Sequence, residues 1–254
     1  MATLKDIAQR AGVTATTVSR VINNRGYISE GTRKKVYAAM EEMHYQPNEL
    51  ARAFSKQYTN TIGLIVPHIS HPFFIKVISN LESSAAEKGF KLLLCNSKEQ
   101  PEKEQDYLDM CISNRVAGIV LCSKYVQTLE FRKMNIPVVN LERGGDADTI
   151  SVQCDNYQGG KLAAEHLIEC GCKNLLHFGG VAGKDMPADR RADGFLRVCR
   201  ERGIEGEVLL SDRLSYGSMH YESYIEKGLL EHPETDGIFA SSDLIAAQAL
   251  QRLY

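Results

Sequence analysis

No stretch of this sequence approaches the roughly 18 apolar residues in a row that a membrane-spanning helix requires, and the opening MATLKDIAQR lacks the apolar centre of a secretory signal. A cytoplasmic chain with no membrane partner is the expectation. Cysteines are few and scattered. Cys95, Cys111, Cys122, Cys154, Cys170, Cys172 and Cys199 make an odd number, most of them beside apolar residues, as befits reduced core thiols rather than a disulfide framework. Cys170 and Cys172 are the close pair, yet no second pair and no neighbouring His completes a tetrahedral set, so neither a metal nor another cofactor is expected. No Ser-His-Asp set or carboxylate pair stands out for hydrolysis. GGVAG near Gly179 departs from G-x-G-x-x-G and follows the wrong strand for a dinucleotide fingerprint, which leaves it a loop. No catalytic residue is assigned, and the chain is not expected to be an enzyme.

What is present is ordinary in amount and uneven in placement. The 254 residues are 43% hydrophobic and 24% charged, which suits a folded chain and allows one large domain or two to three smaller ones. Residues 1–60 hold nine Lys or Arg against five acids, a net of +4, so the remainder carries −6 of the chain's overall −2. A small basic head joined to an acidic body points to a nucleic-acid-binding module attached to something else.

The head has the periodicity for two short helices and a third that covers them. Leu4, Ile7, Ala8 and Ala11 fall at helical spacing behind Thr3, a candidate N-cap, and Gly12 supplies a turn without Cβ strain. Thr14 opens a second segment. There Val18, Val21 and Ile22 lie on one side, while Ala15, Thr16, Ser19 and Arg20 lie on the other. A third helix is expected over Glu30–His44, with Val36, Ala39, Met40 and Met43 inward. Two helices joined by a short glycine-containing turn form a helix-turn-helix, whose second helix enters the DNA major groove. The plain alternative is a three-helix bundle with a solvated face.

KDIAQRAGVTATTVSRVIN, GYISEGTRKKV and HYQPNELARAFSKQYTNTIGLIVP resemble the N-terminal portion of the lactose-repressor (LacI/GalR) transcription regulators, and the likeness continues more loosely to the last residue. The resemblance implies that Ala15, Thr16 and Arg20 read bases and that Thr14, Thr17, Ser19 and Asn23 meet phosphates. Arg20 has the reach for a guanine edge. Pro47 ends the preceding helix, and Leu50, Ala51 and Phe54 form an apolar stripe on about ten residues, too short for a stable isolated helix. By resemblance this is a hinge that pairs with its twin on double-stranded operator DNA, with Phe54 as the minor-groove wedge where leucine is usual. A plain linker is the alternative.

From Thr61 onward short β-branched runs alternate with helical segments. Starts at Ile62, Phe90, Ala117 and Pro137 lie 28, 27 and 20 residues apart, which suits parallel βαβ units. A helix is expected near Gln127–Met134. ISVQCD is expected to begin a second set, followed by helices near 159–170, 191–202 and 218–230 and by strands at NLLHFGG, EVLL and GIFAS. The fold class is therefore a small all-α helix-turn-helix head plus an α/β body of two parallel-sheet lobes like periplasmic binding proteins. Domain boundaries are expected at 1–46 (head), 47–60 (hinge), 61–157 (first lobe) and 158–254 (second lobe). Ligands in such sheets bind beyond the carboxyl ends of the strands.

The loops there offer candidates. HISHPFF resembles a family effector-pocket motif with His71 in place of Asn, and Phe73 and Phe74 are either pocket or core. Asp155 either binds hydroxyls or caps a helix. Arg191, in DRRADGF, matches the family's effector-binding arginine, and Ser242-Asp243 stands where many relatives have Asn-Asp. The chain stops inside DLIAAQALQRLY, short of the family's usual length, so truncation is expected. The function implied is a repressor of carbohydrate genes, homodimeric on a two-fold operator and answering a small-molecule effector, with a sugar or sugar phosphate favoured over a purine. The alternatives are a purine-responsive repressor, or a catabolite regulator using a phosphorylated carrier protein. An exported solute-binding protein or a sugar-acting enzyme is the alternative from another class.

Overall fold

The computed structural model describes residues 2–46, 58–123, 136–143, 149–181 and 186–253. The chain divides into two compact units, Met1–Thr59 and Asn60–Tyr254.

The first unit contains α1 (Leu4–Ala11), α2 (Ala15–Ile22) and α3 (Glu30–Glu42). Each helix starts where a hydroxyl side chain takes an otherwise orphaned N–H: Thr3 in a full capping box with Asp6, Thr14 for Thr17, and Ser29 for Thr32. Gly12 ends α1 at φ 65°, a left-handed conformation that other residues adopt only with strain. Ile7, Ala8, Val18, Val21, Val36 and Ala39 are the buried core, with Met40 and Met43 packed against it. Ala15 also packs there and is half-buried, so its methyl group does not lie wholly on the outward face expected for it. The expected hinge residues Leu50, Ala51 and Phe54 lie outside the described residues, as does the helix expected near Gln127–Met134.

The second unit begins with β1 (Thr61–Val66), α4 (Pro72–Glu87), β2 (Lys91–Asn96), α5 (Pro101–Ser113), β3 (Gly118–Leu121), β4 (Val138–Leu141) and β5 (Ile150–Val152). These strands form one parallel sheet in the order β2-β1-β3-β4-β5. Alternation along β1 sends Ile65 to a core shared with Leu108 and Cys111 of α5. Leu64 and Val66 go to the opposite core with Phe74, Ile78 and Leu81 of α4. β5 corrects the expectation that ISVQCD opens the second set: Asn140 pairs with Ser151 in the first sheet. Spacing cannot distinguish a short edge strand of one sheet from the first strand of the next.

Then follow α6 (Asn156–Glu169), β6 (Asn174–Val181), a 3-10 turn (Pro187–Asp189), α7 (Arg190–Arg202), β7 (Glu205–Ser211), α8 (Arg213–Ser218), α9 (Glu222–Glu231), β8 (Gly237–Ala240) and α10 (Asp243–Leu253). The second sheet is parallel, in the order β7-β6-β8. The helix expected over 218–230 is α9, starting four residues later, and the short α8 precedes it, ended by Met219 at a left-handed φ of 61°. Leu175 and Phe195 fill one face of this sheet, Phe178 and Ile225 the other.

The α6–α7 contact is backbone on backbone. A Cβ on Gly160 would sit 1.9 Å from the Arg191 carbonyl oxygen, and one on Gly194 would sit 2.0 Å from that of Tyr157. Only glycine permits so close an approach, and it fixes where α7 begins. All seven cysteines are free, but Cys154 and Cys170 are exposed, which corrects their reading as core thiols. No described helix is long and apolar enough to cross a membrane.

Candidate functional site

On α2 the structure separates free side chains from engaged ones. Thr16 and Arg20 are exposed. The Thr14 and Thr17 hydroxyls lie 2.9 Å apart, and Thr14 Oγ1 accepts the Thr17 N–H at 3.1 Å, so both serve the helix start. Asn23 Nδ2 donates to the Ser19 carbonyl at 2.8 Å, closing the other end. Arg20 folds towards the following turn: a Cβ on Gly26 would lie 2.6 Å from its Nη2, and Gly26 has a φ of 70°. Tyr27, next in the chain, is 95% exposed.

In the second unit a cavity of about 630 Å³ opens where the carboxyl ends of both sheets meet their loops, a size suited to a small ligand. His71, Phe73, Phe74, Arg191, Ser242 and Asp243 all line it. Phe74 does both jobs considered for it, packing into the α4 core as well as facing the cavity. Asp155 does not line it: its carboxylate accepts the Gln158 N–H at 3.0 Å and caps α6, which corrects the ligand-binding expectation in favour of the capping one.

His71 begins α4 by accepting the Phe73 N–H on Nδ1 at 3.2 Å. Burial lowers its pKa, and neighbouring His68 adds to this while Asp243 opposes it. An imidazole that is neutral and accepts on Nδ1 carries its proton on Nε2, so His71 offers a ligand a donor.

Arg191 is held from two sides. Its Nε donates to Asn156 Oδ1 at 2.8 Å and its Nη1 donates to the Ser241 carbonyl. Asn156 is 4% exposed and donates through Nδ2 to Glu142 Oε2 at 3.3 Å and to the Cys154 carbonyl at 3.2 Å. Glu142 Oε1 accepts the Cys154 N–H at 2.5 Å, from a backbone held at φ 50°. Left-handed backbone at a non-glycine residue beside a cavity is the strain that functional sites retain.

Sequence reasoning did not single out Glu142, Asn156, His68, Tyr216 or Tyr221. Glu142 ends the run PVVNLE, and its place at the carboxyl end of a strand was the available signal. Tyr216 meets the His68 ring edge-on at 6.5 Å, from the opposite lobe. Among the described residues no group of three or more His, Cys, Asp or Glu is placed to hold a metal ion.

Residues 3–48 match the family described as bacterial regulatory proteins, lacI family. Residues 59–254 match the periplasmic binding proteins and sugar binding domain of the LacI family. The chain is 37% identical over 254 residues to a ribose operon repressor of Halalkalibacterium halodurans, covering 99% of this chain and 75% of that protein. It is 38% identical over 248 residues to a sucrose operon repressor of Pediococcus pentosaceus, covering 97% and 75%. It thus spans about three-quarters of the length of these relatives. A LacI-type regulator from Alkaliphilus metalliredigens, solved with D-xylulofuranose, is similar at 34% identity and a TM-score of 0.66, over 77% of this chain and 72% of that one. The lac repressor dimer bound to operator and an anti-inducer shares the fold at 21% identity and a TM-score of 0.81, over 99% of this chain and 77% of that one. The chain belongs to the LacI family of bacterial regulatory proteins.

Proposed function

We propose that this protein is a cytoplasmic, non-enzymatic repressor of a carbohydrate operon, homodimeric on double-stranded operator DNA and controlled by an uncharged sugar in the cavity of its second unit. The observation that carries the reading is the joining, in one chain, of a helix-turn-helix to a cavity lined by aromatic faces, carboxylates and Arg191. Thr16 and Arg20 read bases, and Ala15 is the small neighbour that lets α2 approach them. Thr14, Thr17, Ser19 and Asn23 present backbone and hydroxyl groups to phosphates. Leu50, Ala51 and Phe54 belong to the hinge. The head is assigned to 1–46, the hinge to 47–60 and the first lobe to 61 onward. The second lobe is drawn from Asn156, because α6 packs on α7.

The choice of an uncharged sugar over a sugar phosphate rests on electrostatics. The described lining has four carboxylates, Glu99, Glu142, Asp189 and Asp243, against the two guanidiniums of Arg191 and Arg213. Phosphate sites commonly use free N–H groups at helix starts. Around this cavity side chains already take one such N–H each: His71 takes that of Phe73, Ser242 Oγ that of Ile245 at 3.3 Å, and Asp189 that of Met186 at 2.7 Å. Carboxylates suit sugar hydroxyls, and Phe73, Phe74, Tyr216 and Tyr221 suit the apolar faces of a sugar ring.

The test is a thermal-shift and calorimetric screen of free sugars, their phosphates and purines. A free sugar is expected to raise Tm, with its phosphate binding at least about tenfold more weakly, the factor about 1.4 kcal/mol of repulsion produces. Tighter binding of the phosphate, or of a purine, would overturn the assignment. Arg191→Ala is expected to abolish the sugar response with operator affinity unchanged in its absence. Arg20→Ala should cost about 1–3 kcal/mol on operator and far less on random DNA.

A further inference from the structure

Arg191 is half-buried at the start of α7, and among the described residues nothing engages its Nη2. A guanidinium on a flexible stem recognises a hydroxyl selectively only when its plane is fixed. Here the groups that fix it form a chain. Cys154 N–H and Asn156 Nδ2 converge on the two oxygens of Glu142, and Asn156 Oδ1 receives Arg191 Nε. The far side of the guanidinium is tied to the Ser241 carbonyl just after β8.

The chain has a direction. An amide has one accepting and one donating end, and the reversed amide would set its NH2 against Nε–H and its carbonyl oxygen against a carboxylate. A Glu142 carboxylate permits one orientation, and that orientation presents Oδ1 to Arg191. We infer that Glu142 and Asn156 are positioning residues that orient Arg191 for its ligand, linking the end of β4 to the end of β8 through the guanidinium. The inference rests on the reading of Arg191 as a sugar contact, and its test separates the two.

The charges of the relay can be exchanged at the loss of one contact, since Asn156→Asp removes the donor to the Cys154 carbonyl. With Asn156→Leu alone, Arg191 Nε loses its acceptor and Glu142 loses a donor. With Asn156→Asp and Glu142→Gln together, the Gln carbonyl still accepts the Cys154 N–H and its Nε2 donates to one Asp oxygen. The other Asp oxygen accepts Arg191 Nε, and the number of negative charges is that of the wild type.

The readout is the Arg191 Nε–H signal in the proton–nitrogen spectrum of the intact protein, identified by its loss in Arg191→Lys. In the wild type this proton should exchange with water about tenfold more slowly than that of an exposed arginine, the factor for a hydrogen bond of about 1.4 kcal/mol. Protection should vanish in Asn156→Leu and persist in the Asn156→Asp, Glu142→Gln double variant. Glu142→Gln should lose less protection than Asn156→Leu, because the amide pair can partly readjust. If Asn156→Leu does not fold, failure of the folded double variant to show protection overturns the relay. Protection retained in Asn156→Leu overturns it as well.

Titration with D-ribose and with sucrose forms the second arm. If sugar affinity follows the Nε–H protection across the set, both readings stand. If protection follows the swap while neither sugar binds the wild type, the relay stands and the sugar assignment fails.

Discussion

The DNA-facing helix and the cavity are built on opposite plans. On α2 the side chains assigned to bases, Thr16 and Arg20, stand in solvent. In the cavity Arg191, Asn156, Glu142, Ser242 and Asp189 are bonded to one another or to backbone. A groove full of phosphates and base edges can satisfy exposed donors as it arrives, because water held them until then. Polar groups in a cavity cannot wait unpaired without a desolvation cost, so these five are satisfied in advance, while Ser123 Oγ, buried in the lining without a partner among the described residues, is among the few valences left to a ligand. Specificity in the head comes from what is left free, and in the cavity from how little is.

The sharpest contrast the body offers is between two adjacent glycines. Gly160→Ala should cost on the order of 3 kcal/mol or more, since its Cβ meets backbone that cannot rotate away. Gly159→Ala, one residue earlier in α6 with nothing within 4 Å, should be neutral or stabilise by up to about 1 kcal/mol through helix propensity. Chemical denaturation measures both, and equal effects would remove the close approach as the organiser of Arg191.

A buried histidine sets the next size of effect. His177 is 1% exposed, stacks on Phe239 with ring centroids 4.4 Å apart, and burial pushes its pKa down to about 4, with Arg191 adding to the shift. Between pH about 4 and 6.5 the unfolded chain takes up a proton here that the folded chain refuses. Its contribution is complete above pH 6.5 and is lost as the pH falls towards 4, by about 3 kcal/mol at most. Subtracting the stability–pH curve of His177→Gln from that of the wild type should isolate this slope. A flat difference would place the proton elsewhere.

The smallest effect belongs to the head, and a matched pair again reads it. Gly12→Ala and Gly26→Ala both impose strain at positive φ, about 1 kcal/mol each. Only the second also displaces Arg20. Hydrogen exchange of head amides should show similar losses. Operator preference over random DNA should fall by a further ~1 kcal/mol in Gly26→Ala alone. Identical DNA binding by the two variants would mean that the turn does not orient Arg20.

These contrasts also mark what the sequence made legible. Local chemistry was readable: the Thr3 and Thr14 caps, the Gly12 turn and the strand starting near Ile62 follow from neighbours in the chain, and all appear in the structure. Arg191 was reached through resemblance to a family motif, and it lines the cavity. What holds it was not readable, because Glu142 reaches Cys154 across 12 positions and Arg191 reaches Ser241 across 50. Asp155 was balanced between two roles, and the cap prevailed because helix-start N–H groups lie within one turn of it. β5 was read as opening the second set of strands, although the boundary at 157 kept it in the first lobe, for the complementary reason: three residues carry too little pattern to say which edge they extend.

The glycine contact between α6 and α7 has a bearing on how this protein can change. Side-chain packing between helices is adjustable, since rotamers and volumes trade against one another, and a shift on one side is absorbed before it travels. Backbone against backbone has no such slack, so the spacing at the root of Arg191 acts as a fixed gauge. Cavity walls such as Phe73, Tyr216 or Ser242 can then be exchanged one at a time, and ligand preference can drift, while the arginine stays where it was.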